Sequence, residues 1–479
     1  MVMGDMNMKV DLLVVGGGPG GYAAAFRGAD LGMDVALVDL RERPGGTCLY
    51  EGCIPSKTYL HLAEYLVETR KMAHMGIHFP PPRIDLDEIR AWKERVVTSM
   101  ADGLVGLAKK RGVQLIQARA VLQNSTTARL EGGDISSIAF TKCIVASGSQ
   151  PAILPGCNVA QGGRIMCSRE ALALPDIPTD LLVIGGGYVG LELGSVYAAL
   201  GSRVHLVELQ PALLQGVDPD LVAPLRYKLD TLFHQIDLQT GIAAVEERSE
   251  EVEVLVEKHG RKETLHFDKI LVAVGRSPSS GHLGLENTRV TLDAAGYIQV
   301  DKQQQTAEPG IFAVGDVCGN GMLAHTSIRQ GRVAAEAAAG KPTTYDVRAV
   351  PAVVYTDPQI AWCGLTEEQA KAEGKDVTVL RFPWRYSGRA QTMGETEGLT
   401  KILAEPRNGR ILGVGISGRG AEGLISEAVL AIEMGAVAED LALSLHPHPT
   451  LSETLGEAAE ILLGSPTHLL GKKGAERKT

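Results

Sequence analysis

Two segments of the chain carry the same pattern of apolar and small residues. In "DLLVVGGGPGGYAAAFRGADLGMDVALVD", from Asp11, and "DLLVIGGGYVGLELGSVYAALGSRVHLVE", from Asp180, a short apolar run leads into glycines, then a small-residue stretch, then a second apolar run. Uninterrupted apolar runs predict strands buried on both faces, and the small-residue stretch predicts a helix ended by Gly32 or Gly201. "KCIVASGSQP" (142–151) and "KILVAVGRSP" (269–278) are further apolar strands that end in Gly, two residues and Pro. They bracket the second copy and read as the exit from a first domain and the return to it. "GIFAVGD" reads as a buried strand ending in Asp316, before the helical pattern "IRQGRVAAEAAAG". Strands alternating with helices in this way predict parallel sheets covered on both faces. From about residue 350 the pattern changes to alternating strands, glycine turns and two helical stretches, which predicts an α+β unit.

Within each repeated segment the glycines have separable tasks. Gly16 and Gly185 permit the tight turn after the strand, Gly18 and Gly187 let the backbone approach a pyrophosphate, and Gly21 and Gly190 let the helix pack closely on the sheet. The helix N-terminus then offers about half a positive charge. Asp39 and Glu208 end the second strands, where a carboxylate accepts hydrogen bonds from a ribose diol. A ligand-free glycine turn explains one such copy as well as a nucleotide does. It does not explain five coincident positions in both, so the expectation is one dinucleotide per copy, in two Rossmann-like α/β domains. Glu208 repels a 2′-phosphate and the following "LQP" supplies no arginine for one, so the second site is expected to take NAD rather than NADP.

At 479 residues the chain is longer than one core usually supports. Its formal charge of −10 argues against nucleic acid or an anionic membrane as partner, and for a small molecule or a carrier protein. No apolar run approaches the roughly 18 residues of a membrane span. The run "VDLLVVGGG" begins too near the amino terminus to leave room for a signal peptide. A cytoplasmic protein with a solvated tail, "GKKGAERKT", is expected.

Seven cysteines are too few and too scattered for a secreted disulfide framework. Cys143, Cys157, Cys167, Cys318 and Cys363 read as small buried hydrophobes. Cys48 and Cys53 stand apart, close together in "GGTCLYEGCIPSK" (45–57). As a staple, the short loop they close contributes roughly 2 kcal/mol, little for a chain of this size. As a metal site they lack ligands, since only His61 is near, and no metal is expected. The redox reading explains their neighbours. Pro55 suits the first turn of a helix through "SKTYLHLAEYLVETRKM", with Leu60, Ala63 and Val67 as its buried face. Cys53 then lies at the helix N-terminus, where backbone N–H groups and the dipole favour a thiolate, and Lys57 adds positive charge one turn on.

Near the other end, "LHPHPTLSETLGEAAEIL" offers His446, His448 and Glu453. Thr450 and Glu453 have the spacing of a capping box for a last helix. A histidine beside a carboxylate is also how an imidazole is oriented as a general base. Spacing leaves both readings open.

Taken together these motifs resemble the flavin-dependent pyridine nucleotide disulfide oxidoreductases. "GGGPGGYAAA", "GGTCLYEGCIPSK", "GGGYVGLELG", "AVGRSP", "GIFAVGD", "YTDPQIAWCGLTEEQA" and "HPHPTLSE" occur in that family's order along nearly the whole chain. The resemblance implies FAD held by Gly16, Gly18, Gly21, Asp39, Gly46, Thr47, Lys57, Gly148 and Asp316. It implies NAD held by Gly185, Gly187, Gly190, Glu208 and Gly275. Residues 1–150 and 271–349 would form the FAD-binding and central region, 151–270 the NAD-binding domain, and 350–479 the interface domain of a homodimer. Cys53 would be the sulfur beside the flavin and Cys48 the one that exchanges with substrate. Lys57 and Glu192 would pair near the flavin N5. His448, oriented by Glu453 and supplied by the opposite subunit, would be the base, which favours that reading over the bare cap.

The activity so implied is oxidation of a dihydrolipoyl arm with NAD. Its lipoylated carrier would be a 2-oxo acid dehydrogenase acyltransferase, a glycine-cleavage H protein or another lipoyl protein. Two alternatives stay open: an NADH-dependent reductase of another small disulfide, and a low-turnover flavoprotein subunit of a multienzyme complex. The chain departs from the family at Asp39, where glutamate is usual, and at Tyr50-Glu51, where Asn-Val is usual. A Glu51 turned towards the sulfurs would disfavour a thiolate there. Tyr188 is expected either to cover the nicotinamide pocket or simply to pack.

Overall fold

The computed structural model describes residues 7–470 apart from 161, 320 and 465; the tail "GKKGAERKT" lies outside the described residues. The first repeated segment forms β1 (Asn7–Val15), α1 (Pro19–Asp30) and β2 (Val35–Asp39). Leu13 and Val15 of β1 enter one core cluster and Leu12 and Val14 another, because successive strand side chains point to opposite faces. A strand buried on both sides therefore reads as one continuous apolar run. Next come α2 (Gly46–Glu51), α3 (Cys53–Lys71) and α4 (Leu86–Lys110), then β3 (Gln114–Gln117), β4 (Arg119–Asn124), β5 (Thr127–Glu131), β6 (Ser137–Val145) and β7 (Ser149–Pro151). The first sheet runs β3-β2-β1-β6-β5-β4. Its strands β3, β2, β1 and β6 are parallel, whereas β4 and β5 are antiparallel additions beside β6. This departs from the parallel sheet expected, for a physical reason. The β4–β5 link is a tight turn in which Asn124 Oδ1 accepts the Thr126 N–H at 2.9 Å, and a link so short joins only antiparallel strands.

The second repeated segment and its flanks supply β8 (Ile165–Met166), α5 (Ser168–Ala173), β9 (Asp180–Ile184), α6 (Tyr188–Leu200), β10 (Arg203–Val207), α7 (Pro219–Leu232) and β11 (Gln235–Asp237). A meander of β12 (Thr240–Glu247), β13 (Val252–Lys258) and β14 (Arg261–Phe267) precedes β15 (Lys269–Val272). The second sheet is parallel, in the order β11-β10-β9-β15-β8. Helices α3, α6 and α7 cover one face through Tyr59, Leu193 and Leu225. The other face is covered by the meander, whose Val252, Val254 and Val256 pack on Leu182, Ile184 and Ile270. The two bracketing segments lie side by side, β7 pairing antiparallel with β16 (Arg276–Pro278). The chain then adds β17 (Ile311–Ala313) to the first sheet, parallel to β6, and continues into α8 (Ala324–Ala338).

The last part is an antiparallel sheet of β18 (Ala352–Val354), β19 (Ile360–Gly364), β20 (Thr378–Pro383), β21 (Leu399–Ala404) and β22 (Ile411–Ser417), ordered β18-β19-β22-β21-β20. Five helices surround it: α9 (Glu367–Ala372), α10 (Gly388–Met393), α11 (Ala421–Met434), α12 (Ala438–Leu443) and α13 (Glu453–Leu463). Three more helices form than the sequence pattern suggests; α9, α10 and α12 have 6 residues each, too few to display a helical period. Where this sheet meets α7, Asp218, Asp220 and Glu367 converge on the fully buried Lys401, whose ammonium lies 2.5 Å from Asp218 and 2.6 Å from Asp220. Among the described residues no helix is long and apolar enough to cross a membrane.

Candidate active site

The two repeated segments fold alike down to single contacts. Gly16 and Gly185 sit at φ 104° and 110°, and a Cβ there would fall 2.3 Å from the Ala146 carbonyl oxygen and 2.4 Å from that of Ala273. A Cβ at Gly21 or Gly190 would fall 1.8 or 2.1 Å from the carbonyl oxygen of Gly16 or Gly185, so α1 and α6 close onto their strands only with glycine there. Gly18 and Gly187 are the N-caps of these helices, and neither offers a side-chain cap. The first-turn N–H groups are left for an anion, which fits a pyrophosphate at each place. Asp39 accepts the N–H of Gly17 at 2.5 Å and of Arg41 at 2.7 Å, while Glu208 accepts those of Gly186 at 2.6 Å and Gln210 at 2.7 Å. The shorter aspartate thus reaches the same backbone positions as the glutamate.

A cavity of about 420 Å³ runs from the first glycine turn to the cysteines, within the usual range for a cofactor pocket. Gly16, Gly18, Asp39, Gly46, Thr47, Cys48, Cys53, Lys57, Gly148 and Asp316 line it, and α6 contributes Tyr188 and Glu192 to the lining. Gly21 lies beneath the turn as a packing position. Gly185, Gly187, Gly190, Glu208 and Gly275 do not line this cavity; the first three and Glu208 gather at the start of α6. One helix therefore presents its N-terminus to the second glycine turn and Glu192, a turn later, to the first cavity. Asp316 is held by residues that sequence reasoning did not single out. Its Oδ2 accepts the Ser149 hydroxyl at 2.5 Å, and Arg276 donates to Ser149 Oγ and to its carbonyl oxygen, both at 2.7 Å. The signal was present, since Ser149 and Arg276 stand in the paired "SGSQP" and "GRSP" segments.

Cys48 lies in α2 and Cys53 is the first residue of α3. Both are thiols here, and Cys48 hydrogen-bonds to Cys53. That hydrogen bond lowers the Cys53 thiol to about 7 against the effect of burial, with the Lys57 charge and its own backbone N–H adding to the drop. The same hydrogen bond and burial push Cys48 up. The other cysteines are all buried, and burial alone or chiefly pushes Cys143, Cys318 and Cys363 up to about 12. Lys57 Nζ lies 2.7 Å from Glu192 Oε2, whose side chain is only 3% exposed. The other Glu192 oxygen accepts the Tyr355 N–H at 3.0 Å.

Glu51 does not turn towards the sulfurs, contrary to one expectation from its position. Its carboxylate pairs with the Arg41 guanidinium, which also lies over the Tyr50 ring, 4.8 Å from the centroid. The Tyr50 hydroxyl is 3.2 Å from the Arg43 carbonyl oxygen. Basic residues in "LRERPGG" attract both departures away from the disulfide loop. Tyr188 is 43% exposed and lines the cavity rather than packing in a core.

His448 and Glu453 meet each other but neither lines the cysteine cavity. His448 Nδ1 is 2.8 Å from Glu453 Oε1, and its side chain is 74% exposed. The capping box is half formed: Glu453 Oε2 accepts the Thr450 N–H at 2.7 Å, while the Thr450 hydroxyl donates to the Pro447 carbonyl oxygen. One carboxylate serves both the helix start and the imidazole, so the two readings of this stretch are compatible. His446, nearly buried, pairs with Glu427 at 2.9 Å.

Two dinucleotide-type cradles and a neighbouring dithiol define a nucleotide-linked disulfide oxidoreductase. Residues 10–331 match the pyridine nucleotide-disulphide oxidoreductase family and residues 350–459 its dimerisation domain; the chain belongs to this family. It is similar to the dihydrolipoyl dehydrogenase of Haemophilus influenzae, 41% identical over 473 residues and 98% of each chain. It is also similar to dihydrolipoyl dehydrogenase 2 of Haloarcula marismortui, 42% identical over 98% of this chain and 100% of that one. Among solved structures it resembles LpdA of Mycobacterium tuberculosis, with a TM-score of 0.87 and 28% identity over 95% of this chain and 100% of that one.

Proposed function

We infer that this chain oxidises a protein-bound dihydrolipoyl group to lipoyl with NAD as acceptor, the dihydrolipoyl dehydrogenase reaction, using FAD and a Cys48–Cys53 disulfide. The observation that carries the reading is Cys53 at the start of α3, its thiol lowered to about 7, in a cavity shared with the first glycine turn. FAD fits that cavity through Gly16, Gly18, Asp39, Gly46, Thr47 and Asp316, and NAD fits the start of α6 with Glu208 at its ribose. Bound FAD supplies the electron relay between the enzyme dithiol and NAD.

The protein's own groups carry the sulfur chemistry. His448 takes a proton from one dihydrolipoyl thiol, and the resulting thiolate attacks Cys48 of the oxidised pair. The Cys48–Cys53 bond breaks and Cys53 leaves as thiolate, stabilised by the α3 N-terminus and Lys57. The second substrate thiol, losing its proton, displaces Cys48, so lipoyl departs oxidised and the two cysteines keep the electron pair. Passage of that pair to NAD restores the disulfide, giving lipoyl, NADH and one proton overall.

The working unit is a homodimer in which His448 of one chain serves the cysteines of the other. Support comes from the dimerisation-domain match, from a cysteine cavity whose lining does not include the same chain's His448, and from the exposed Leu430, Met434, Leu443 and Leu445 on the same part of the chain. The carrier is a lipoylated protein, a reading supported by the dihydrolipoyl dehydrogenases to which the chain is similar. The test is an assay of dihydrolipoamide with NAD on the purified flavoprotein, with Cys48→Ser and His448→Gln variants. Each variant alone should be nearly inactive, and mixing the two after subunit exchange should restore about a quarter of the activity, because heterodimers hold one complete site. Turnover that ignores Cys48→Ser would overturn the reading, and no rescue on mixing would overturn the shared site.

A further inference from the structure

We propose that Tyr355 is a positioning residue for the disulfide chemistry: its ring and backbone N–H clamp the Lys57–Glu192 pair and so fix the positive charge that faces Cys53. This rests on the reading of Cys48 and Cys53 as a redox pair beside FAD. Tyr355 follows β18 and is delivered by the C-terminal sheet, whereas Lys57 belongs to α3 and Glu192 to α6. Its N–H donates to Glu192 Oε1 at 3.0 Å, and Lys57 Nζ, 2.7 Å from Glu192 Oε2, lies 4.5 Å from the centroid of the Tyr355 ring. Both carboxylate oxygens are thereby used, and the ammonium is held between a carboxylate and an aromatic face.

The clamp matters because Lys57 is the flexible member. Its side chain is 32% exposed while that of Glu192 is 3% exposed, and a lysine stem left free spends its time hydrated rather than near one sulfur. Tyr355 is itself fixed to the helix it acts on. Two residues on, Asp357 bridges Lys71, the last residue of α3, and Lys228 of α7, each at 2.9 Å. The Thr356 hydroxyl between them donates to the Pro358 carbonyl oxygen at 2.8 Å. The segment 355–357 thus ties the cysteine helix at both of its ends to the C-terminal sheet. Besides Lys57, the titratable groups facing Cys53 are Cys48, Tyr22, Tyr188, Tyr355 and Glu192. Glu422 faces the Tyr355 ring from α11.

The experiment is a pH titration of the long-wavelength absorbance of the anaerobically two-electron-reduced flavoprotein, which reports the Cys53 thiolate beside the flavin. Tyr355→Leu removes the ring and keeps the backbone N–H; Tyr355→Phe keeps both. The midpoint should rise by about half a unit in Tyr355→Leu and stay at the wild-type value in Tyr355→Phe. Tyr355→Met is the second non-aromatic variant and should behave as Tyr355→Leu. In a Lys57→Met background, Tyr355→Leu should add no further shift. An unshifted midpoint in both non-aromatic variants, or an equal further shift without Lys57, overturns the proposal. A wild-type protein with no such band overturns the redox reading beneath it instead.

Discussion

Glu453 holds His448 through one oxygen and the Thr450 backbone through the other, at 2.8 and 2.7 Å. Burial pushes this carboxyl up, but the Thr450 N–H and His448 together outweigh burial and hold it below the usual carboxylate range. An ionised Glu453 accepts a hydrogen bond from Nδ1–H, which leaves Nε2 as the basic nitrogen. His448→Gln should therefore lower kcat/KM by about 10²–10⁴ with flavin content unchanged. Glu453→Gln should lower it by about tenfold or more, since the amide still reaches Thr450 but no longer fixes the tautomer. Steady-state rates over a range of pH, with thermal unfolding as control, check both.

Lys57 and Glu192 act on Cys53 with opposite sign. Lys57 favours the thiolate and Glu192 opposes it. Lys57→Met should raise the Cys53 midpoint from about 7 by about one unit, whereas Glu192→Gln should lower it. A reduced protein titrated at several pH values gives both shifts, and equal shifts in one direction would contradict this assignment of charges.

Glu51→Gln should leave the thiol titration where it is. The carboxylate is engaged by Arg41 rather than aimed at the sulfurs, and a pair at this exposure contributes at most about 1 kcal/mol. Alkylation of the reduced protein across pH, followed by peptide mass analysis, compares the two profiles directly.

Lys401→Met should destabilise the protein by about 3 kcal/mol or more, because it leaves the buried Asp218 carboxylate without its cation, while the part-exposed Asp220 and Glu367 keep only Arg381. Denaturant unfolding of the flavoprotein measures it. Lys375→Met, on an exposed pair with Glu373, should change stability by less than about 1 kcal/mol.

The sequence is most readable where one residue type has one physical use. The first and third glycines of both turns are dictated by approaches of 2.4 Å or less between a Cβ and a carbonyl oxygen, so their spacing announced the fold around them. Cys53, Pro55 and Lys57 were legible because a helix start leaves a local signature. The contacts made across the fold were not. Tyr355 and Asp316 act on partners 163 and 167 residues away, and nothing near them in sequence names those partners. Glu51 shows the converse limit: its charge was visible, but the choice between the sulfurs and Arg41 depends on the direction in which α2 presents it.

The most direct measurement of the central claim is differential thiol labelling of the oxidised flavoprotein before and after one equivalent of dihydrolipoamide under anaerobic conditions. Cys48 and Cys53 should both become alkylated only after substrate, the remaining cysteines should stay unlabelled in the folded state, and NAD added before the label should erase the signal. Labelling confined to other cysteines, or a Cys48 and Cys53 pair that substrate and NAD leave unchanged, would contradict the claim that electrons pass through this disulfide.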